Sequence, residues 1–151
     1  MRAVARGLLA GAAASEALNI VTYLDMTLRG RPPSSTPEET AKRFAAAAGV
    51  SLGEGKTAEN RAAGLGPLLG YTAGLGTSVV YALLVRRRIS WKVATVLLSA
   101  MAMLAANGPM TLLGVTDPRE WSASDWVADL IPHLAYGAVA ATVHDQLLAE
   151  G

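Results

Sequence analysis

Four apolar blocks, each near the length a bilayer demands, alternate with charged connections over about residues 7–24, 64–85, 93–115 and 127–148. The first, Gly7 to Leu24, has 18 residues and extends about 27 Å as a helix, close to the lower limit for a span. The pattern predicts an all-α fold, a single membrane domain over 1–151 with four transmembrane helices. The fourth block is the most polar. Within Thr116–Leu148, residues Asp125, Asp129, His133, Tyr136, Ala140 and His144 follow at helical spacing and form one stripe. An ionisable group facing lipid costs roughly 2.5–3.5 kcal/mol, so the stripe is expected to face other helices or a cavity.

The connections carry their own signals. Arg29–Arg61 is the long hydrophilic segment, and within it Thr36 reads as an N-cap, Pro37 as the first helical residue and Glu39 as the end of a capping box. A short amphipathic helix over about 37–48 follows, stopping at Gly49, with Ala41, Phe44, Ala45 and Ala48 on one face. It is expected to rest on the membrane surface or on the bundle. Gly53-Glu54-Gly55-Lys56-Thr57 resembles the end of a phosphate-binding loop, but the glycine that motif needs is Val50 here, and no strand precedes it. Arg86-Arg87-Arg88 and Lys92 lie in a very short connection and point to the cytoplasm. An even number of spans then puts both termini there, although Arg29, Arg31, Lys42, Arg43, Lys56 and Arg61 in the long loop pull the other way. Arg2 and Arg6 before a short apolar run, with Ala12-Ala13-Ala14 after it, also fit a signal peptide. Apolar character resumes after Glu16, which favours a retained span.

Gly66, Gly70 and Gly74 recur every four residues on the second span, with Thr77 and Tyr81 extending that face, and Gly7 and Gly11 repeat the spacing on the first. Small residues at this interval let helices approach closely in lipid. With antiparallel spans, Asn19, Tyr71, Asn107 and His133 fall about 4–6 Å to the non-cytoplasmic side of their helix centres, with Glu16 a turn below Asn19 near mid-bilayer. A shared polar layer inside the bundle is the expectation. Pro132 frees the carbonyl of Ala128, and Asp129 lies one turn from His133, so Asp129–His133 is a candidate hydrogen-bonded pair and proton relay. The plainer alternative is that these groups only join helices together.

Composition narrows the chemistry. Hydrophobic residues make up 52% and charged residues 17%, and the net charge is +1, so no basic field argues for nucleic acid. There is no cysteine, which excludes disulfides and thiolate sites. The two histidines stand about 16 Å apart along one helix and cannot share a mononuclear metal within a chain. A site shared across an oligomer, or a haem held by His133, is the remaining metal option. Ser15, Glu16 and His133 lack any nucleophile turn or oxyanion hole. The expectation is a protein that is not an enzyme and carries no cofactor.

Gly114-Val115-Thr116-Asp117-Pro118, the tryptophan-containing loop after it, and His133-Leu134 followed by Tyr136 resemble the YagU-like group of small bacterial inner-membrane proteins. The match covers about a quarter of the chain. Thr22-Tyr23-Leu24-Asp25, Arg29-Gly30-Arg31-Pro32 and Ser34-Ser35-Thr36-Pro37-Glu38 resemble uncharacterised actinobacterial membrane proteins. The YagU-like resemblance implies an inner-membrane location and, loosely, a link to acid tolerance. It implies no catalytic residue and does not bear on Glu16 or Asn107. Two functions are therefore expected: proton-linked transport or conduction through the polar layer, or a structural subunit of a larger membrane complex. Four short helices are few for a transporter, so transport calls for a homo-oligomer in the lipid bilayer.

Overall fold

A computed structural model describes residues 2–149. It contains α1 (Ala3–Arg29), α2 (Thr36–Ala47), α3 (Gly55–Leu84), α4 (Trp91–Leu112), a short 3-10 turn (Pro118–Glu120) and α5 (Ala123–Ala149). Four of the five α-helices, all but α2, are long and apolar enough to cross a membrane. Three of them outrun the apolar blocks, because extending a nucleated helix is cheap. Helix α3 begins at Gly55, nine residues before the apolar run, and carries Lys56, Glu59, Asn60 and Arg61 in its first turns. Helix α1 continues to Arg29, where Asp25 pairs with Arg29 and Arg31 and Gly30 closes the end at φ 62°.

The four long helices run up and down and form a ring in which α1 packs on α3 and α5, and α4 on α5 and α3. Small side chains fill the interior: Ala10, Ala14, Ala102, Ala140 and Ala141 are buried, joined by Leu98, Tyr81 and Tyr136. Large apolar side chains point outward, with Leu104 73% exposed and Leu112 90%. This is the reverse of a water-soluble bundle and matches helices that associate by close backbone approach. A Cβ on Gly7 would stand 2.5 Å from the Val79 Cα, and one on Gly11 3.0 Å from the Leu75 Cα. Gly66 backs onto Pro37 of α2, and Gly74 onto Ser15. Gly70, expected on the same packing face, meets nothing. Gly137, not foreseen, seats α5 directly on the α4 backbone at Thr95 and Ser99.

Helix α2 lies against α3. Its start differs from expectation: Ser35 is the N-cap, Thr36 is already helical, and Glu39 turns to Arg43 at 2.9 Å instead of closing a capping box. An i,i+4 ion pair satisfies Glu39 within the helix. Its buried face is Ala41 and Ala45, while Phe44 stays 49% exposed. Its end is as read, since Gly49 at φ 68° completes a Schellman motif with Gly49 N–H on Ala46 O and Val50 N–H on Ala45 O. In the connection before α5, Asp117 caps the 3-10 turn by accepting from the Arg119 N–H. The Arg119 side chain, then its backbone N–H, hold the Asp117 carboxyl down to about 2. Trp121 and Trp126 pack edge to face beside it, with centroids 5.0 Å apart.

Candidate functional site

The polar residues expected in one layer gather at two separate helix interfaces. Between α1 and α3, Asn19 Nδ2 donates to the Tyr71 hydroxyl at 3.1 Å, and that hydroxyl donates to Glu16 Oε1 at 2.5 Å. The amide thus polarises a hydroxyl that holds a carboxyl, a directional chain in which each bond strengthens the next. Between α4 and α5, Asn107 Nδ2 donates to Asp129 Oδ2 at 2.9 Å. The His133 Nδ1 lies 2.7 Å from the Asp129 carbonyl and 3.6 Å from Asp129 Oδ1. Among the described residues, no hydrogen bond joins the two groups.

Two expectations change here. Glu16 does not lie inside the bundle: it is exposed on the outer surface of α1, and Tyr71 beside it is 36% exposed. The inward positions at that level are Ala14 and Ser15, both buried, and the next residue along a helix turns away by about 100°. The His133 ring also bonds the Asp129 backbone carbonyl, on its own face four residues back, while the Asp129 carboxyl expected as its partner stays 3.6 Å away. The stripe on α5 otherwise faces as read. His133, Tyr136, Ala140 and His144 are buried, Asp129 is partly covered, and Asp125 is exposed, with its carboxylate on Ser122.

A third group, at the opposite end of the bundle, was not anticipated. His144 Nε2 meets Ser78 Oγ at 2.9 Å, and its ring lies 5.0 Å from that of Tyr81. Arg6, read from the sequence as a basic flank, is 7% exposed and donates to Ala82 O at 3.3 Å, while its Nε finds no partner. Arg88 clasps Asp145 through two hydrogen bonds of 2.5 Å. A cavity of about 10 Å³ lies among Tyr81, Arg88, Trp91, His144 and Asp145, room for about one water. Midway along the bundle, the Tyr136 hydroxyl donates to Gly74 O at 2.5 Å and ties α5 to α3. The signal available in the sequence was spacing: Ser78 and Tyr81 share a face of α3, three residues apart, and His144 ends the α5 stripe.

No protein-family model, curated protein or solved structure matches this chain. The His133 and His144 rings are buried in the bundle, whereas the Glu16 group opens outward.

Proposed function

We propose that the chain spans the bacterial inner membrane four times and serves as a subunit of a larger membrane assembly, with no catalytic chemistry of its own. One observation carries this reading. Glu16 is exposed on α1 with Tyr71 as its hydrogen-bond partner, on a helix whose other outward residues include Leu9 and Ile20. In hydrocarbon that carboxyl is expensive to leave bare, and a neighbouring subunit removes it from lipid. Arg2, the Arg86–Arg88 run and Lys92 gather at one end of the bundle, and this end is assigned to the cytoplasm with both termini. Helix α2 then rests at the opposite surface. The YagU-like resemblance agrees with this location. Native mass spectrometry on protein released gently from its own membrane tests the reading. A particle heavier than one chain is expected, and a bare monomer overturns it.

Proton-linked transport is the second reading, favoured by the pairing of titratable groups in both Glu16–Tyr71 and Asp129–His133. Tyr136 and Leu98 are fully buried in the bundle interior, so in this reading the path runs between subunits. Proton flux into proteoliposomes that is unchanged by Glu16→Gln and His133→Ala rules it out.

A further inference from the structure

The outward face of α1 has a period of its own. Leu9, Ala13, Glu16, Ile20, Tyr23 and Thr27 are separated by four, three, four, three and four residues, and all are exposed. Leu9, Ile20 and Tyr23 are 54%, 58% and 61% exposed. Alternating steps of three and four are the seam along which two helices supercoil. The inward side of α1 has a similar rhythm in Gly7, Gly11 and Ala14, and the first two already meet α3. Helix α1 therefore presents two seams, one of them occupied within the chain.

We propose that the outer seam of α1 joins two copies of this chain, related by a two-fold axis along the membrane normal, with Glu16 of each copy facing Glu16 of the other. The inference rests on the assembly reading above and names its partner. Depth in the bilayer selects the partner. Two copies inserted with the same orientation bring the same residue to the same level, so each Glu16 meets a carboxyl, and one proton held between the two replaces like-charge repulsion with a hydrogen bond. A different protein would have to supply a polar group at that height. An isologous two-fold contact is also the commonest way identical subunits associate. Glu16 is the one carboxyl in the seam, and a lone strongly polar residue sets the register of a coiled coil, because a slip of one layer sets it against Ala13 or Ile20. Ala13, one layer from Glu16, is small enough to let the two backbones come close at that level. Glu16 keeps Oε1 on Tyr71, and among the described residues Oε2 accepts no hydrogen bond, which leaves it to share a proton with Oε2 of the facing carboxyl.

The chain has no cysteine, so single cysteines can be placed without background. Ala13→Cys and Ile20→Cys on the seam are compared with Val96→Cys and Leu104→Cys on α4, which are 62% and 73% exposed. Each is treated in native membranes with a short bis-maleimide. The seam variants are expected to give a product of twice the chain mass, in several-fold higher yield than the α4 variants. Adding Glu16→Lys to Ala13→Cys is expected to cut that yield several-fold with helicity by circular dichroism unchanged. A cross-link from the seam to a protein of different mass overturns the inference and leaves the assembly reading standing. Monomer alone from both seam variants, together with a monomeric particle by native mass spectrometry, overturns both. Equal dimer yield from all four positions overturns the seam.

Discussion

Replacing Gly137 with alanine places a methyl group where α5 rests on α4. The new carbon would stand 2.5 Å from the Thr95 carbonyl oxygen and 2.9 Å from the Ser99 nitrogen, and it would collide with Ser99 Oγ. The hydroxyl can rotate, but the two backbone atoms cannot. Carbon contacts are comfortable at about 3.5–4.0 Å, so the helices must part by roughly 1 Å at this level. Overpacking of this kind costs about 1–3 kcal/mol, while alanine returns about 0.8–1 kcal/mol of helix propensity over glycine. The difference is about 0–2 kcal/mol, and it falls toward the upper end here because two of the three atoms met are backbone. Gly7→Ala belongs to the same class, with a Cβ 2.5 Å from the Val79 Cα. Gly70→Ala and Gly76→Ala meet nothing within 4 Å, retain only the propensity gain, and should be neutral or slightly stabilising. Equilibrium unfolding in mild detergent, followed by far-ultraviolet circular dichroism, separates the two classes. If Gly137→Ala is as stable as the parent, or Gly70→Ala loses as much as Gly7→Ala, the packing described here is wrong.

Three other outcomes follow from individual contacts. Asn107→Ala removes the amide that donates to Asp129 Oδ2 and leaves a partly buried carboxylate short of a donor, at a cost of about 1–3 kcal/mol. A double-mutant cycle with Asp129→Ala should show coupling, and additive losses would sink the pair. Tyr136→Phe loses the hydrogen bond to Gly74 O for about 1 kcal/mol, read in the same unfolding assay; no change would mean the hydroxyl is not used. Asp117, held down to about 2 by Arg119, has a folded value below its ordinary 3.8. The support it gives the turn before α5 is therefore complete above about pH 3.8 and is lost as pH falls through about 2. A carboxyl chemical-shift titration should find its midpoint near the lower value, and a midpoint at the ordinary one contradicts the Asp117–Arg119 contact.

The long helices were legible because twenty or so apolar residues leave a chain few alternatives, and the end of α2 because Gly49 fits the left-handed position that closes a helix. The α5 stripe was legible for a similar reason: its polar groups are spaced so that they share a face. Glu16 was not. Ala12, Ala13, Ala14 and Ser15 are all small, so nothing in the local sequence says which of them faces inward, and an error of one residue moves the carboxyl from interior to surface. Gly70 was misplaced by a related cause. Each step of four residues turns about 40° around a helix, so Gly66 reaches Pro37 of α2, Gly74 reaches Ser15 of α1, and Gly70 falls between the two contacts. Arg6 looked like a flank because basic residues before an apolar block usually mark topology. Its burial depends on Ala82, seventy-six residues away, which no local pattern encodes.

The central claim is that the outer face of α1 is covered by a neighbouring subunit, and one pair of spin labels tests it directly. Ile20 and Leu104 are 58% and 73% exposed in the single chain, and both lie within apolar spans. With Ile20→Cys and Leu104→Cys labelled in native membranes, collision with dissolved oxygen reports which position faces lipid. The account predicts high oxygen accessibility at Leu104 and a several-fold lower value at Ile20. Equally high accessibility at both positions would show α1 bare in lipid and would contradict the account.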